Sequence, residues 1–194
     1  MVRAGALVLL VAGCASGYSG EARDFTPTRL ADEPGWVAVR GVPVERQIEE
    51  ADCGAAAVAM VIAYWTGGAP RAIAASLRPA PEKGIAAGRL RDLARARGLA
   101  AFLVRGEVAD LEREVAAGRP VVVGLVKPYG KKKVLTHYEV VVGLNRQKKL
   151  VVTLDPAAGW RQNGLAAFVR EWDPAKRLAL VVSARNAPPH TKSP

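Results

Sequence analysis

The sequence predicts an α+β domain in which helices come first and a mostly antiparallel sheet follows. Between residues 51 and 115, three stretches repeat apolar residues at helical spacing. Between residues 120 and 182, four short Val/Leu-rich runs are separated by turn chemistry. Helices followed by strands, rather than a strict alternation of the two, point away from a parallel sheet. In chain order, residues 51–65 place Ala55, Val58, Ala59, Ile62 and Trp65 on one helical face, and Gly67-Gly68 stops the helix. Residues 89–97 turn Leu90, Leu93 and Ala94 inward before Gly98, and Val108, Leu111 and Val115 mark a third helix before Gly118. Strands are predicted at 120–126, 137–144, 150–154 and 178–182, with Asn145-Arg146-Gln147-Lys148 as the hairpin turn between the second and third.

The chain has 194 residues, half of them hydrophobic, which suits one domain with a buried core and one or two loose ends. Its formal charge of +10 favours anionic surroundings such as phospholipid headgroups or acidic peptides. Nucleic acid is not expected as a partner. Aromatic residues are few, basic residues are scattered, and no Cys/His finger spacing occurs. There is no G-x-x-x-x-G-K-[ST] run either, so no phosphate-binding loop, and no metal or cofactor is expected.

The ends read differently from the middle. Arg3, a short apolar run through Val11 and the small residues Ala12-Gly13 read as a secretory signal over 1–13, too short to span a bilayer. Val11-Ala12-Gly13-Cys14 resembles the lipobox of bacterial lipoproteins, which implies acylation of Cys14 and cleavage before it. Such an anchor holds a protein at the membrane on the extracytoplasmic side. The Ala15 that follows, rather than an Asp, leans toward the outer membrane facing the periplasm in a Gram-negative cell. Residues 14–35 read as a lipidated tether, 36–184 as the domain and 185–194, with Pro188, Pro189 and Pro194, as a disordered tail. With Cys14 acylated, Cys53 is an unpaired thiol in an exported chain: either a buried inert cysteine or a catalytic one.

Cys53 falls in the first turn of the predicted 51–65 helix, where backbone N–H groups and the helix dipole favour a thiolate. Gln47 lies six residues upstream, placed to donate to a developing oxyanion. The sequence has two histidines, and His190 lies in the tail. That leaves His137, at the start of a predicted strand, as the base for Cys53. Asp155 ends the next strand, a rim position across the hairpin from which a carboxylate orients the imidazole. Trp160 either floors a substrate groove or fills the core. Lys131-Lys132-Lys133, just before His137, reads as a solvated hairpin loop.

These residues reach a known family. Gln47 with Asp52-Cys53-Gly54-Ala55-Ala56, then His137-Tyr138-Glu139-Val140-Val141, then Asp155-Pro156-Ala157-Ala158-Gly159-Trp160 resemble the papain-like, double-glycine cysteine peptidases that process bacteriocin leaders. Those peptidases are domains of peptide-exporting ABC transporters. The resemblance covers about residues 36–183, with 168–172 similar to the family's closing segment. It implies a papain-like fold, a Cys53–His137–Asp155 triad, Gln47 in the oxyanion hole, cleavage after Gly-Gly and association with a peptide exporter. A stand-alone, exported lipoprotein form is the expectation here. The same Cys–His chemistry also serves a cell-wall amidase or transamidase. Outside enzymes, a lipid-tethered, non-catalytic binding module is the alternative, and it would expect erosion of the four site positions, all of which are filled.

Overall fold

The computed structural model describes residues 18–77, 84–130 and 133–185. Cys14 and the signal, Lys131 and Lys132, and the tail with His190 lie outside the described residues. Residues 18–35 do not hang as a tether; they belong to the domain. They supply β1 (Arg23–Asp24) and α1 (Arg29–Asp32), and β2 (Trp36–Ala38) follows directly. Phe25 and Leu30 are buried, and the Phe25 ring meets Trp36 edge-on at 5.6 Å. Isolated apolar residues in a polar stretch carry no periodicity, so the segment reads as a linker although each of them has a socket.

A 3-10 turn, Glu50–Asp52, leads into α2 (Cys53–Thr66). The entry is held by a reciprocal capping box between Glu49 and Asp52. The sequence predicted one apolar face on α2. Instead, every residue from Cys53 to Ala63 is buried, which the run of Gly and Ala permits by letting neighbours approach from all sides. Gly67 closes the helix in the left-handed conformation, φ 71°. Next come α3 (Pro70–Ala74), α4 (Ala87–Ala96) with Leu90 and Ala94 buried, and β3 (Leu99–Arg105). Then α5 (Val108–Ala116) buries Leu111 and Val115.

The remaining elements are β4 (Val121–Tyr129), β5 (Lys133–Asn145), β6 (Leu150–Asp155), β7 (Gly159–Gly164), α6 (Leu165–Trp172) and β8 (Leu178–Ala184). The sheet order is β1-β7-β6-β5-β4-β8-β3, with β2 joined to β5. Every pairing between these strands is antiparallel. The expected α+β architecture therefore holds, with β1, β2, β3 and β7 as additions. β3 lies at the end of the sheet with Phe102 and Val104 exposed, so it lacks the clean alternation of a half-buried strand. The hairpin turn stands where predicted, Asn145 Oδ1 accepting from the Lys148 N–H at 2.9 Å. Among the described residues no helix is long and apolar enough to cross a membrane.

Two features of the sheet position the site. β4 and β5 pair from Val121↔Val141 out to Tyr129↔Lys133, so His137 lies inside a long strand rather than at its start. The β5–β6 register shifts between Val141 and Gly143, and the ladder stops at Val140↔Leu154. Beyond that point, side chains must hold the two strands together.

Candidate active site

Cys53 is the first residue of α2, nearly buried, and forms no disulfide among the described residues. It opens onto a cleft of about 730 Å³ whose walls include Ile85 and Arg89 on one side and Leu135, Thr136 and Tyr138 of β5 on another. Gly54, next to the thiol, faces the Tyr138 ring so closely that a Cβ there would stand 3.1 Å from Cδ2. Any side chain at this position would push the Tyr138 ring aside by a few tenths of an ångström, so glycine lets the helix start sit this near the sheet without displacing it.

His137 and Asp155 are brought together by the β5–β6 hairpin. His137 Nε2 lies 2.7 Å from Asp155 Oδ1, which also accepts the Ala157 N–H at 2.7 Å. With Nε2 committed as donor, the neutral ring carries its lone pair on Nδ1. Nδ1 is buried without a conventional hydrogen bond, and Cys53 is the other side chain that interacts with the ring. Asp155 thus holds one nitrogen of the ring, and Cys53 acts on the ring from the start of α2.

The electrostatics reinforce the pairing. Burial pushes the His137 pKa down, but the Asp155 hydrogen bond, then Cys53, outweigh it and hold the imidazole well above its ordinary value. Burial pushes Asp155 up, while the His137 hydrogen bond and charge, the Lys127 charge and the Ala157 N–H hold it below the ordinary carboxylate range. A raised histidine stabilises the fold below its unfolded pKa, and that contribution is lost as pH rises through the folded value. A lowered carboxylate contributes above its unfolded pKa and loses it as pH falls through the folded value. The pair is thus strongest between those limits. Asp155→Asn removes the largest upward influence on His137, so the imidazole midpoint falls, as NMR titration of the ring will show.

Gln47 reaches this neighbourhood through its backbone, the N–H donating to Pro156 O at 3.0 Å. Its side chain is turned elsewhere. Nε2 donates to the Glu49 and Glu50 carbonyls at 3.1 and 3.4 Å, and Oε1 is buried without a partner. Gln47 is thus tied to the Asp155-Pro156 turn by its backbone, while its amide donates within its own loop rather than to Cys53. Trp160 is a correction to the groove-floor expectation. It is absent from the walls of the Cys53 cleft and packs 6.4 Å from Phe25, anchoring the N-terminal segment.

The sequence reading missed Lys127, Glu139 and Glu171, three charged residues buried behind the pair. The signal was present: Lys127 and Glu139 interrupt Val/Leu runs at positions where a strand buries its side chains.

Comparisons with known proteins bear on the fold and the family. No curated protein sequence matches the chain. Among solved structures, it resembles a double glycine motif protease from an AMS/PCAT transporter in complex with its leader peptide. The TM-score is 0.57 at 23% identity, covering 75% of this chain and 93% of that one. It also resembles the peptidase domain of Streptococcus ComA, a bifunctional ABC transporter involved in quorum sensing. There the TM-score is 0.60 at 23% identity, covering 75% and 100%. A C39-like peptidase from Bacillus anthracis superposes with TM-score 0.61 at 18% identity, covering 77% and 98%. These likenesses establish the shared α+β fold. The sequence profile of the Peptidase C39 family matches residues 41–187, which is most of the chain and includes Cys53, His137 and Asp155. This chain belongs to the peptidase C39 family.

Proposed function

We propose that the protein is a cysteine endopeptidase that cleaves after a Gly-Gly pair in an exported peptide. The observation that carries this reading is the orientation of His137: Nε2 is tied to Asp155, and Nδ1 is left for Cys53. Nδ1 takes the thiol proton as Cys53 Sγ attacks the scissile carbonyl carbon. The imidazolium then protonates the leaving amine, and a thioester to Cys53 remains. Water, deprotonated by the same nitrogen, attacks the thioester and releases the carboxylate product. Asp155 stabilises the imidazolium in both halves of the cycle. The Gly-Gly specificity is supported by the described activity of the transporter protease that this fold resembles. An exporter of such peptides is the partner it implies.

Gln47 acts in this scheme as the oxyanion donor beside the Cys53 N–H. To do so, its Nε2 exchanges the Glu49 and Glu50 carbonyls for the substrate oxyanion. Gln47→Ala then lowers turnover by about 10²–10³ with little change in KM. A raised KM with intact turnover would make Gln47 a substrate contact instead.

The test of the activity is a panel of peptides with an internal Gly-Gly, alongside peptides in which either glycine is replaced by Ala, read by mass spectrometry. Cleavage confined to the Gly-Gly members is expected. Hydrolysis of muropeptide amides with the panel untouched would move the chain to the amidase reading.

The lipobox-like Val11-Ala12-Gly13-Cys14 supports acylation at Cys14 as the means of membrane attachment. Tyr18 is already seated on the domain through its bridge to Tyr129, so three residues, 15–17, separate the acyl group from the fold. At most about 14 Å of chain lies between them, which would hold the domain against the bilayer surface. Cys14→Ser is expected to shift the protein from the membrane to the soluble fraction. A mature N-terminus elsewhere, with Cys14 unmodified, would contradict the anchor.

A further inference from the structure

Glu139 follows His137 by two residues, so both side chains project from one face of β5. That face is closed to water, and Glu139 is 2% exposed. A Glu139 oxygen, an Asp155 oxygen and a His137 ring nitrogen all lie within 4.8 Å of one another. Two buried carboxylates so close repel, and the ordinary outcome is that one takes up a proton. A protonated Asp155 no longer stabilises an imidazolium.

Lys127 answers that problem. It enters the same face from β4, 3% exposed, with Nζ 2.6 Å from Glu139 Oε1 and 3.1 Å from Oε2 of Glu171 on α6. The second Glu139 oxygen accepts from Thr153 Oγ1 at 2.6 Å. With Lys127 Nζ on one oxygen and Thr153 Oγ1 on the other, the Glu139 charge already has a cationic partner, and the cluster forms an ion network. Thr153 stands two residues before Asp155 on β6. The Glu139–Thr153 and His137–Asp155 contacts are therefore successive side-chain bridges between the same strands, placed where the backbone ladder ends.

We propose that Lys127 is a positioning residue for the Cys53–His137–Asp155 site, a role that rests on the active-site reading above. By neutralising Glu139 it keeps Asp155 ionised, and it lets the Glu139–Thr153 bridge set the spacing of β5 and β6 beside the reacting groups. The other groups facing the cluster do not replace it. Cys53 on α2, Tyr129 on β4 and Glu171 on α6 carry no positive charge. Tyr18 of the N-terminal segment closes the outer side, its hydroxyl donating to Glu171 Oε1 at 2.7 Å and its ring 4.8 Å from Lys127 Nζ. Arg161 on β7 lies 5.9 Å from that ring and is paired with Asp24. Glu50 acts on Tyr129 and adds only negative charge.

Two readouts on the full-length protein need no peptide substrate: the Asp155 carboxyl titration by NMR, and the pH dependence of iodoacetamide labelling mapped to Cys53. Lys127→Met is expected to raise the Asp155 midpoint by about one pH unit, and the acid limb of labelling moves up with it. Adding Glu139→Gln removes the like charge and returns both toward wild type. A purely structural lysine predicts that the second substitution adds damage. An unmoved midpoint in Lys127→Met, or a double variant as displaced as the single one, overturns the proposal. If Lys127→Met fails to fold, the shape-conserving Glu139→Gln decides alone: with the like charge gone and the Lys127 charge no longer paired to it, the Asp155 midpoint falls, and an unchanged midpoint overturns the proposal. Failure of peptide cleavage leaves these readouts intact, so the two readings fail separately.

Discussion

Cys53→Ala reduces peptide turnover to background and leaves the fold in place. The substitution removes a single sulfur from the first turn of α2, a site whose backbone is fixed by the Glu49–Asp52 capping box and by ten further buried residues of the same helix. The stability cost is about 1 kcal/mol, within the ordinary range for a small change. The kinetic cost is about 10⁶ in kcat, because no other group in the cleft forms the covalent intermediate. Turnover on a cleaved Gly-Gly peptide, measured beside a thermal melt, separates the two effects. Retained turnover would remove Cys53 from the mechanism.

His137→Ala is nearly as damaging to turnover, about 10⁵–10⁶, since the ring moves the proton in both acylation and deacylation. It differs from Cys53→Ala in its structural cost. Asp155 is left buried with its principal partner gone, and breaking a buried pair in this way costs about 3–5 kcal/mol. A clearly lowered melting temperature is therefore expected for His137→Ala and not for Cys53→Ala. Asp155→Asn is milder than either in turnover, about two orders of magnitude less damaging than loss of the ring, because Asp155 orients rather than transfers protons.

The sequence showed the helix that carries Cys53, the strands that carry His137 and Asp155, and the turn that folds those strands together. Each of these rests on a local signal: Ala-rich apolar repetition, Val runs, and Asn145 at the hairpin. What stayed hidden depends on contacts made across the chain. Phe25 and Leu30 look like stray apolar residues until β2 and β5 receive them. Trp160 read equally as groove floor and core, and Phe25 in the N-terminal segment decides between them. The length of β5 was missed because Lys131-Lys132-Lys133 reads as a loop, although Tyr129 pairs with Lys133. The Gln47 position is readable by its distance from Cys53, but no sequence signal says that its amide donates to the Glu49 and Glu50 carbonyls.

Whether Cys53 and His137 act as a nucleophile–base pair is tested most directly by the rate of iodoacetamide labelling of Cys53 across pH 5–9. Wild type and His137→Ala are compared, with the labelled site mapped by mass spectrometry. The interaction of Cys53 with the imidazolium predicts that wild-type labelling stays fast on the acid side of the range and that His137→Ala loses this acid-side reactivity by about tenfold or more. Identical labelling profiles for the two proteins would contradict the pairing and the peptidase mechanism built on it.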